Sequence, residues 1–289
     1  MNNEDRFAIY ILSYNRARNV KTLTTLINAN YKGDWFIIVD DTDPELSLYK
    51  EIYEDKVLVF NKKEIAKKID VMDTFCNYQS AIYARHYNFD IAKKMGYNYF
   101  MQLDDDYGSF YYTEDKDDNY VNTKITDINP FIEVFLHFLK KSNILTVSFA
   151  QGGDFLGGGG STIFRKGYKR KAMNGFFFDV NKKANFLGSM NADVNMYLHH
   201  AIKGDICLTT RHVKIIQSQT QQEKGGITEA YLKFGTYVKS FYSVMLSPSS
   251  VTVQPMRSNT ENRIHHHISW DNTTPMILNE KYKINGKNN

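Results

Sequence analysis

Short apolar runs alternate with helical patterns through the first 105 residues of the chain. The apolar runs cover residues 7–12, 35–39, 57–60 and 99–103. Helical spacing of apolar residues lies between them over residues 20–27 and 74–95, and Gly96 predicts the end of the longer helix. This alternation is typical of βαβ units, so we predict an α/β, Rossmann-like fold with a mostly parallel sheet flanked by helices.

The second half of the chain has a less regular pattern. We predict a polar loop or insertion over residues 113–127 and a flexible loop over residues 151–161, where six glycines exclude a regular element. The other predicted elements are helices at 130–141, 191–203 and 226–246, strands at 144–149, 176–178 and 211–217, and an irregular segment from about 247. We expect a single domain over residues 1–289, with residues 1–110 and 111–289 as its two halves.

Composition narrows the class of protein without identifying it. The 289 residues are 42% hydrophobic and 24% charged, with a formal net charge of +4, which is an ordinary globular profile. Cys76 and Cys207 form no CxxC pattern, so neither a disulfide framework nor a structural zinc site is predicted. No secretory or membrane-spanning apolar segment is found, so we expect a cytoplasmic protein with no membrane partner.

Three adjacent acids, Asp104–Asp106, directly follow the strand predicted at residues 99–103. Ligands of open α/β sheets bind outside the carboxyl ends of the strands, where these acids are placed. Carboxylates that repel one another favour a bound cation, and hard oxygen ligands favour Mn²⁺ or Mg²⁺. The alternative is a solvated acidic turn, which an isolated motif of this kind fits about as well.

Polar groups after other predicted strands favour a metal site over a solvated acidic turn. They are Ser13, Tyr14, Asn15 and Arg16 after the first strand, Asp40 and Asp41 after the second, and Arg85 in the helix before the acidic strand. In this order they resemble the GT-A fold of nucleotide-sugar-dependent glycosyltransferases. The resemblance implies that these residues, with Asp104 and Asp105, bind a UDP-sugar, and that Asp104 and Asp106 form a DxD motif that binds the metal.

The carboxyl-terminal half carries a narrower resemblance. The motifs are Gly225–Thr228, Gly235–Tyr242 and Arg263–His266 followed by Trp270. They are similar to those of the phage glycosyltransferases associated with TET/JBP-type oxygenases, with which the resemblance covers most of the chain. It implies transfer of a hexose, glucose from UDP-glucose in the first instance, to the hydroxymethyl group of a modified pyrimidine in DNA. Residues 1–110 would then bind the nucleotide sugar, and residues 111–289 would form the acceptor side with a carboxyl-terminal extension.

Other functions are compatible with the same residues. A GT-A glycosyltransferase that acts on a glycan, a protein or a small molecule would need the same donor site. A nucleotidyltransferase also places metal-binding acids on an α/β sheet. A nucleic-acid-binding module with a degenerate transferase fold would not need Asp104, Asp106 or a general base.

Asp193 is the candidate base, because related enzymes carry an acid that opens a helix after the acceptor-side strand. An inverting transferase needs a carboxylate to accept the proton of the acceptor hydroxyl. The alternative role is support of the first helical turn through the helix dipole. Asp179 and Asp154 are the substitute candidates for the base, after Asp193. His265 and His266 are candidate metal ligands, as some GT-A enzymes complete the metal shell with a carboxyl-terminal histidine.

A basic segment at residues 165–171 is the candidate DNA contact. Its members are Lys166, Tyr168, Lys169, Arg170 and Lys171. Cations interleaved with an aromatic ring suit phosphate contacts and stacking on an exposed base. The commoner use of such a run is a solvated surface.

Overall fold

The structure is a computed structural model. It describes residues 5–74, 78, 80–116, 119–142, 144–155, 160–161, 163, 165, 168–217, 235, 237–257 and 262–274. The strands are β1 (Phe7–Leu12), β2 (Asp34–Asp40), β3 (Val57–Phe60), β4 (Tyr99–Asp104), β5 (Tyr107–Lys116), β6 (Asn119–Lys124), β7 (Thr146–Gln151), β8 (Tyr168–Lys169), β9 (Asn174–Asp179), β10 (Cys207–Gln217), β11 (Val251–Arg257) and β12 (Asn262–Ile268). The helices are α1 (Lys21–Asn28), α2 (Leu46–Tyr53), α3 (Lys62–Ala66), α4 (Ile82–Lys94), α5 (Asn129–Ser142), α6 (Ala192–Ile202), α7 (Val238–Leu246) and α8 (Trp270–Thr273).

One large sheet runs through the described part of the chain, in the order β3-β2-β1-β4-β9-β7-β10-β5-β6, with β8 beside β10. The first four strands of this order are mutually parallel, as the βαβ pattern predicts. Strand β9 pairs antiparallel with both β4 and β7, and the β5–β6 hairpin adds antiparallel strands at the far edge. The predicted α/β fold is confirmed, and its parallel half brings the carboxyl ends of β1, β2 and β4 to one edge.

Strand β9 places aromatic rings on both faces of the sheet. Phe176 and Phe178 lie on one side, where Phe178 packs on Phe89 of α4 with ring centroids 5.0 Å apart. Phe177 lies on the other side, 5.3 Å from the ring of Phe135 on α5. The alternation follows from the two-residue period of a strand. Because both faces are covered by helices, the continuous apolar runs of the sequence become buried central strands.

Three predictions about elements need correction. The loop predicted at 113–127 is wrong, since most of it belongs to the β5–β6 hairpin, whose edge position tolerates polar side chains. The irregular segment predicted from about 247 contains the β11–β12 hairpin. The helix predicted at 74–95 begins only at Ile82.

The glycine-rich loop and the helix predicted at 226–246 are described only in part. Gly152–Phe155 form a 3₁₀ turn, and residues 156–159 lie outside the described residues. The helical prediction holds for α7, whereas residues 218–234 lie outside the described residues. None of the described helices combines the length and hydropathy that crossing a bilayer would need.

Phe177 is fully buried and touches the rings of Phe7 and Phe149 as well as Phe135. We predict that Phe177→Ala lowers the free energy of unfolding by about 3–5 kcal/mol, because a ring-sized cavity opens in the core. Phe138→Ala, on the exposed side of α5 where the ring is 40% exposed, should cost much less. Urea unfolding followed by circular dichroism measures both, and equal losses would contradict this account of the core.

Candidate functional site

The turn that carries the three acids is anchored by Thr22, in the first turn of α1. The Thr22 hydroxyl donates to the carbonyl of Asp104 at 2.5 Å and accepts from the backbone N–H of Tyr107 at 3.0 Å. The Thr22 N–H donates to the carbonyl of Asp105 at 3.1 Å. Helix α1 therefore fixes the backbone direction in which each of the three carboxylates leaves the strand.

Asp105 points inward and is only 5% exposed. Its carboxylate accepts a hydrogen bond from Ser13 Oγ at 2.6 Å and pairs with Arg16 Nη1, also at 2.6 Å. Burial raises the pKa of Asp105, and the Arg16 guanidinium opposes that rise. Because the Ser13 hydroxyl donates its proton to Asp105, Ser13 Oγ accepts a hydrogen bond from the Tyr49 hydroxyl at 2.6 Å. Asp105 thus ties the β1–α1 loop to the acidic turn.

Asp104 is held from the opposite side by Arg85 of α4. The guanidinium Nη2 lies 3.2 Å from Asp104 Oδ1, and its centre lies 5.2 Å and 5.4 Å from the ring centroids of Phe176 and Phe186. Arg85 is 7% exposed, and among the described residues its buried Nη1 has no hydrogen-bond acceptor. Arg85 therefore lies against the acidic strand, and its predicted role in binding the nucleotide sugar stays a prediction.

Asp106 lies on the open side of the turn. Its carboxylate accepts from the Gln217 amide at 3.1 and 3.2 Å. Burial, and next the charge of Asp104, raise the pKa of Asp106 to about 6. Two carboxylates that repel each other beside solvent are the donor set that a hard divalent cation takes.

Asp40 at the end of β2 is not open to solvent. Its Oδ2 pairs with Lys62 Nζ at 2.6 Å, with both side chains about 5% exposed, and its Oδ1 accepts from the N–H and hydroxyl of Thr42. Lys62 Nζ also lies 4.9 Å from the ring centroid of Tyr14. Sequence reasoning missed Lys62, since it stands in a lysine-rich run that is typical of an exposed helix.

Asp41 is exposed and sits beside this pair. Asn61 Nδ2 donates to one carboxylate oxygen at 2.7 Å, and the Lys62 N–H donates to the other at 3.1 Å. The Asn61 side chain also accepts from the Glu64 N–H and so caps α3. The side chain of Asp41, unlike that of Asp40, faces solvent at the carboxyl edge of the sheet.

The β1–α1 loop depends on two further acids that sequence reasoning missed. Asp43 accepts from the Asn15 N–H at 2.8 Å, and Glu45 accepts from the Ala17 N–H at 2.6 Å. Burial raises the pKa of Asp43, against the backbone hydrogen bonds that favour its charged form. Asn15 has a φ of 55°, a conformation that asparagine tolerates better than most residues. Asp43 and Glu45 hold the loop in this shape.

The second candidate region surrounds the amino-terminal end of α6. Asn191, with a φ of 58°, directs its amide nitrogen to Ser243 Oγ at 2.8 Å and to His266 Nδ1 at 3.3 Å. Burial, and next the neighbouring His265, lower the pKa of His266 to about 3, so its ring is neutral and accepts this bond. Asp193 lies in the first helical turn, and its Oδ1 accepts from the Val194 N–H at 2.9 Å.

The loop over residues 70–73 connects this region to the amino-terminal half. Gly188 and Ser189 donate backbone hydrogen bonds to the carbonyls of Asp70 and Val71. The Asp73 carboxylate accepts from the hydroxyl of Ser189 and, at 2.7 Å, from that of Tyr242 on α7. The two halves of the chain are therefore joined by a partly buried network of hydrogen bonds next to α6.

Two lysines of the basic segment form ion pairs with a buried carboxylate, that of Asp154. Lys171 Nζ and Lys169 Nζ lie 2.5 Å and 3.1 Å from Asp154 Oδ1. Burial would raise the pKa of Asp154, but these lysines, Lys171 foremost, lower it. Arg170 reaches the carbonyl of Asp205 at 3.4 Å, Tyr168 pairs with Thr210 of β10, and Lys166 lies outside the described residues. Paired lysines have less charge to offer to phosphates.

The described residues contain no cluster of three or more histidine, cysteine, aspartate or glutamate side chains that could hold a metal ion. His265 and His266 therefore do not join Asp104 and Asp106 in such a cluster. A metal-ligand role for either histidine stays a prediction. A cation held by Asp104 and Asp106 would take its remaining oxygen ligands from a substrate or from water.

A sequence profile of the TET-associated glycosyltransferases matches residues 7–226, which is most of the chain. The chain belongs to the TET-associated glycosyltransferase family. The resemblance found in the sequence is thereby confirmed, and the protein is a glycosyltransferase. Residues 7–226 include the acidic turn, the β1–α1 loop, the basic segment and Asp193.

Comparison with solved structures finds glycosyltransferases at very low sequence identity. Glucosyl-3-phosphoglycerate synthase from Mycobacterium tuberculosis, in complex with Mg²⁺ and UDP, is 8% identical with a TM-score of 0.49, covering 94% of this chain and 91% of that chain. GalNAc-T7 with UDP, GalNAc and Mn²⁺ is 10% identical with a TM-score of 0.43, covering 75% and 44%. A search of curated proteins found no match.

The buried pair of Lys62 and Asp40 gives a prediction about stability in this glycosyltransferase. Lys62→Met should lower the free energy of unfolding by about 3–5 kcal/mol, because it leaves the Asp40 carboxylate buried without its partner. Lys67→Met is the matched control: it removes an exposed ion pair with Glu64 on the next helical turn and should change stability little. Chemical denaturation at neutral pH measures both variants. Equal effects would mean that the Asp40 carboxylate does not depend on Lys62.

Proposed function

We propose that this glycosyltransferase moves a hexose, glucose from UDP-glucose in the first instance, to the hydroxymethyl group of a modified pyrimidine in DNA, with Mn²⁺ or Mg²⁺ as cofactor. Family membership supports sugar transfer. The observation that carries the donor chemistry is the pair of carboxylates, Asp104 and Asp106, that repel each other at the carboxyl edge of the sheet.

The donor side is proposed as follows. Asp104 and Asp106 hold the cation, and the exposed Asp41 and the Tyr14 ring contact the nucleoside. Arg85 orients Asp104 through their ion pair, and Asp105 with Arg16 and Ser13 keeps the adjoining loop in place. Asn15, at the tip of that loop, contacts the nucleotide sugar. Asp40 acts on the nucleoside site indirectly, through its ion pair with Lys62. When bound, the cation offsets the negative charge that grows on the leaving diphosphate.

The acceptor side is proposed around Asp193. The acceptor hydroxyl oxygen forms a bond to the anomeric carbon, while the bond from that carbon to the diphosphate oxygen breaks and its electron pair leaves with the nucleotide. Asp193 accepts the hydroxyl proton as the new bond forms. Its place in the first turn of α6, beside Asn191 and the hydrogen bonds to residues 70–73, supports this role.

DNA as the acceptor implies access to a base that is normally stacked. We propose that the target nucleotide is flipped out, at a cost of a few kcal/mol, because a closed sugar-donor pocket cannot surround a stacked base. The basic segment is the sequence-based candidate for phosphate contacts that offset this cost. Since Lys169 and Lys171 already pair with Asp154, we assign the larger share of the phosphate contacts to Lys166 and Arg170, with Tyr168 available to stack on the exposed base.

The direct test measures UDP release and sugar incorporation with Mn²⁺, using duplex DNA with and without hydroxymethylcytosine or hydroxymethyluracil. Transfer to a modified duplex and none to the unmodified one supports the proposal. Donor hydrolysis without transfer to any modified DNA would move the acceptor to a glycan, a protein or a small molecule.

Metal binding should depend on Asp106 and on pH. The pKa of Asp106 is raised to about 6, so in the metal-free protein its ionisation lowers stability as the pH rises through that value. A cation favours the ionised form, and Mn²⁺ affinity should therefore fall as the pH drops below about 6. Isothermal titration at pH 7.5 and 5.5 checks this. Asp106→Asn should abolish Mn²⁺ binding and Asp90→Asn, an exposed control, should retain it.

Asp193→Asn should lower the rate of transfer by about 10²-fold or more and leave UDP-sugar affinity nearly unchanged, because the base serves the chemistry and not donor binding. Single-turnover transfer and donor titration separate the two effects. Asp179→Asn, at the end of β9, is the control and should turn over normally. Normal transfer by Asp193→Asn would leave Asp193 with the helix-dipole role alone.

A further inference from the structure

The residue that precedes α6 has an unusual backbone for the start of a helix. Asn191 adopts a left-handed conformation, with φ 58° and ψ 28°, and its side chain makes no capping hydrogen bond to the helix. An asparagine in this position commonly caps the first turn through its side-chain oxygen. The Asn191 amide bonds to other elements instead, while its backbone sets the direction in which the chain enters the helix at Ala192 and Asp193.

Two other elements hold the Asn191 amide. Its nitrogen donates to Ser243 Oγ of α7 at 2.8 Å and to His266 Nδ1 of β12 at 3.3 Å. An amide nitrogen carries two hydrogens, one for each of these acceptors. The left-handed turn is therefore tied both to α7 and to the β11–β12 hairpin.

Ser243 connects this turn to the next turn of α6. Its hydroxyl is fully buried, accepts from Asn191 and donates to Asn195 Oδ1 at 2.8 Å. The Asn195 amide nitrogen donates to the carbonyl of Leu187 at 2.9 Å, on the segment that leads into the turn. One hydroxyl of α7 thus joins the residues on both sides of the first helical turn.

Asp193 lies between these contacts in sequence but on another side of the helix. A helix rotates by about 100° per residue, so Asp193 is about 200° around the axis from Asn195. The Asp193 side chain is partly exposed, whereas Asn195 and Ser243 are fully buried. Hydrogen bonds on the buried side of α6 can therefore fix the direction of the carboxylate without touching it.

We propose that Ser243 is a positioning residue for sugar transfer, which acts through Asn191 to aim the Asp193 carboxylate at the acceptor hydroxyl. This rests on the proposed function, in which Asp193 is the base. A misplacement of about 1 Å can cost about 10²-fold in rate, so the direction in which a base leaves its helix matters as much as its presence.

The only hydrogen bond found for the Asp193 carboxylate in the described part of the chain is local to α6. It comes from the Val194 N–H, and it orients the carboxylate relative to its own helix and not relative to the donor side. Helix α7 supplies the connection to the donor side, because Tyr242, the neighbour of Ser243, donates to Asp73 at 2.7 Å. The bond from Asn191 to Ser243 therefore sets the start of α6 against the amino-terminal half of the chain.

Ser240 provides a matched control on the same helix. Its side chain is as fully buried as that of Ser243, but its hydroxyl has no hydrogen-bond partner among the described residues. Ser240→Ala and Ser243→Ala each remove one buried oxygen from α7, and only the second removes a bond to Asn191. A loss of rate confined to Ser243→Ala is then due to the hydrogen bond and not to the packing of α7.

The test measures single-turnover transfer from UDP-glucose, with Mn²⁺, to the modified duplex that accepts sugar, together with donor affinity by titration. Ser243→Ala should lower the transfer rate about tenfold or more at unchanged donor affinity, and Ser240→Ala should transfer normally. In the Asp193→Asn background, Ser243→Ala should cause no further loss, because its effect passes through the carboxylate. Asn191→Gly, which allows the left-handed turn but removes the amide, should repeat this pattern.

Each other outcome overturns the proposal in a recognisable way. Normal transfer by Ser243→Ala, with Asp193→Asn slow, would remove Ser243 from the reaction and leave the proposed function standing. Losses that add in the double variant, or a matching loss of donor affinity, would give Ser243 a structural role only. If Ser243→Ala does not fold, Asn191→Gly decides by the same criteria. Normal transfer by Asp193→Asn, or no transfer by the unmodified protein to any modified duplex, would overturn both the proposal and the function on which it rests.

Discussion

The structure depends on how negative charge is accommodated at one edge of the sheet. Asp40, Asp43 and Asp105 are all less than 7% exposed, where an unpaired carboxylate would be costly. Each is satisfied locally: Asp40 by Lys62, Asp105 by Arg16 and Ser13, and Asp43 by backbone N–H groups. This compensation of the buried acids leaves Asp104 and Asp106 as the repelling pair that faces outward.

Much of the fold could be predicted because buried central strands appear in the sequence as continuous apolar runs. Residues 7–12 of β1, 35–39 of β2 and 176–178 of β9 are continuous apolar runs, since helices cover both faces of the sheet, and these runs agree with the sequence patterns. The β5–β6 and β11–β12 hairpins escaped prediction for the opposite reason. Edge and ribbon strands keep one side in water, so their polar residues look like loops.

The acidic turn at Asp104–Asp106 was predictable because its motif coincides with a strand end, and Arg85 because its helix α4 directly precedes that strand. It was not predictable where function depends on burial, which a single sequence does not reveal. Lys62 stands in a run of charges that is typical of a solvated helix, yet its ammonium is buried against Asp40 and the Tyr14 ring. The tie between Asp73 and Tyr242 joins residues 169 positions apart, beyond any local pattern.

The hydrogen bonds of the β1–α1 loop bear on the thermodynamics of donor binding. Asn15, Arg16 and Ala17 each have their backbone N–H bound to a side chain from residues 43–49, before any ligand is present. A loop already fixed by its own protein loses little conformational entropy when a ligand arrives, whereas a free loop would lose about 1–2 kcal/mol per residue. The entropic cost of ordering the β1–α1 loop is met during folding, so the free energy of nucleotide binding is available for recognition.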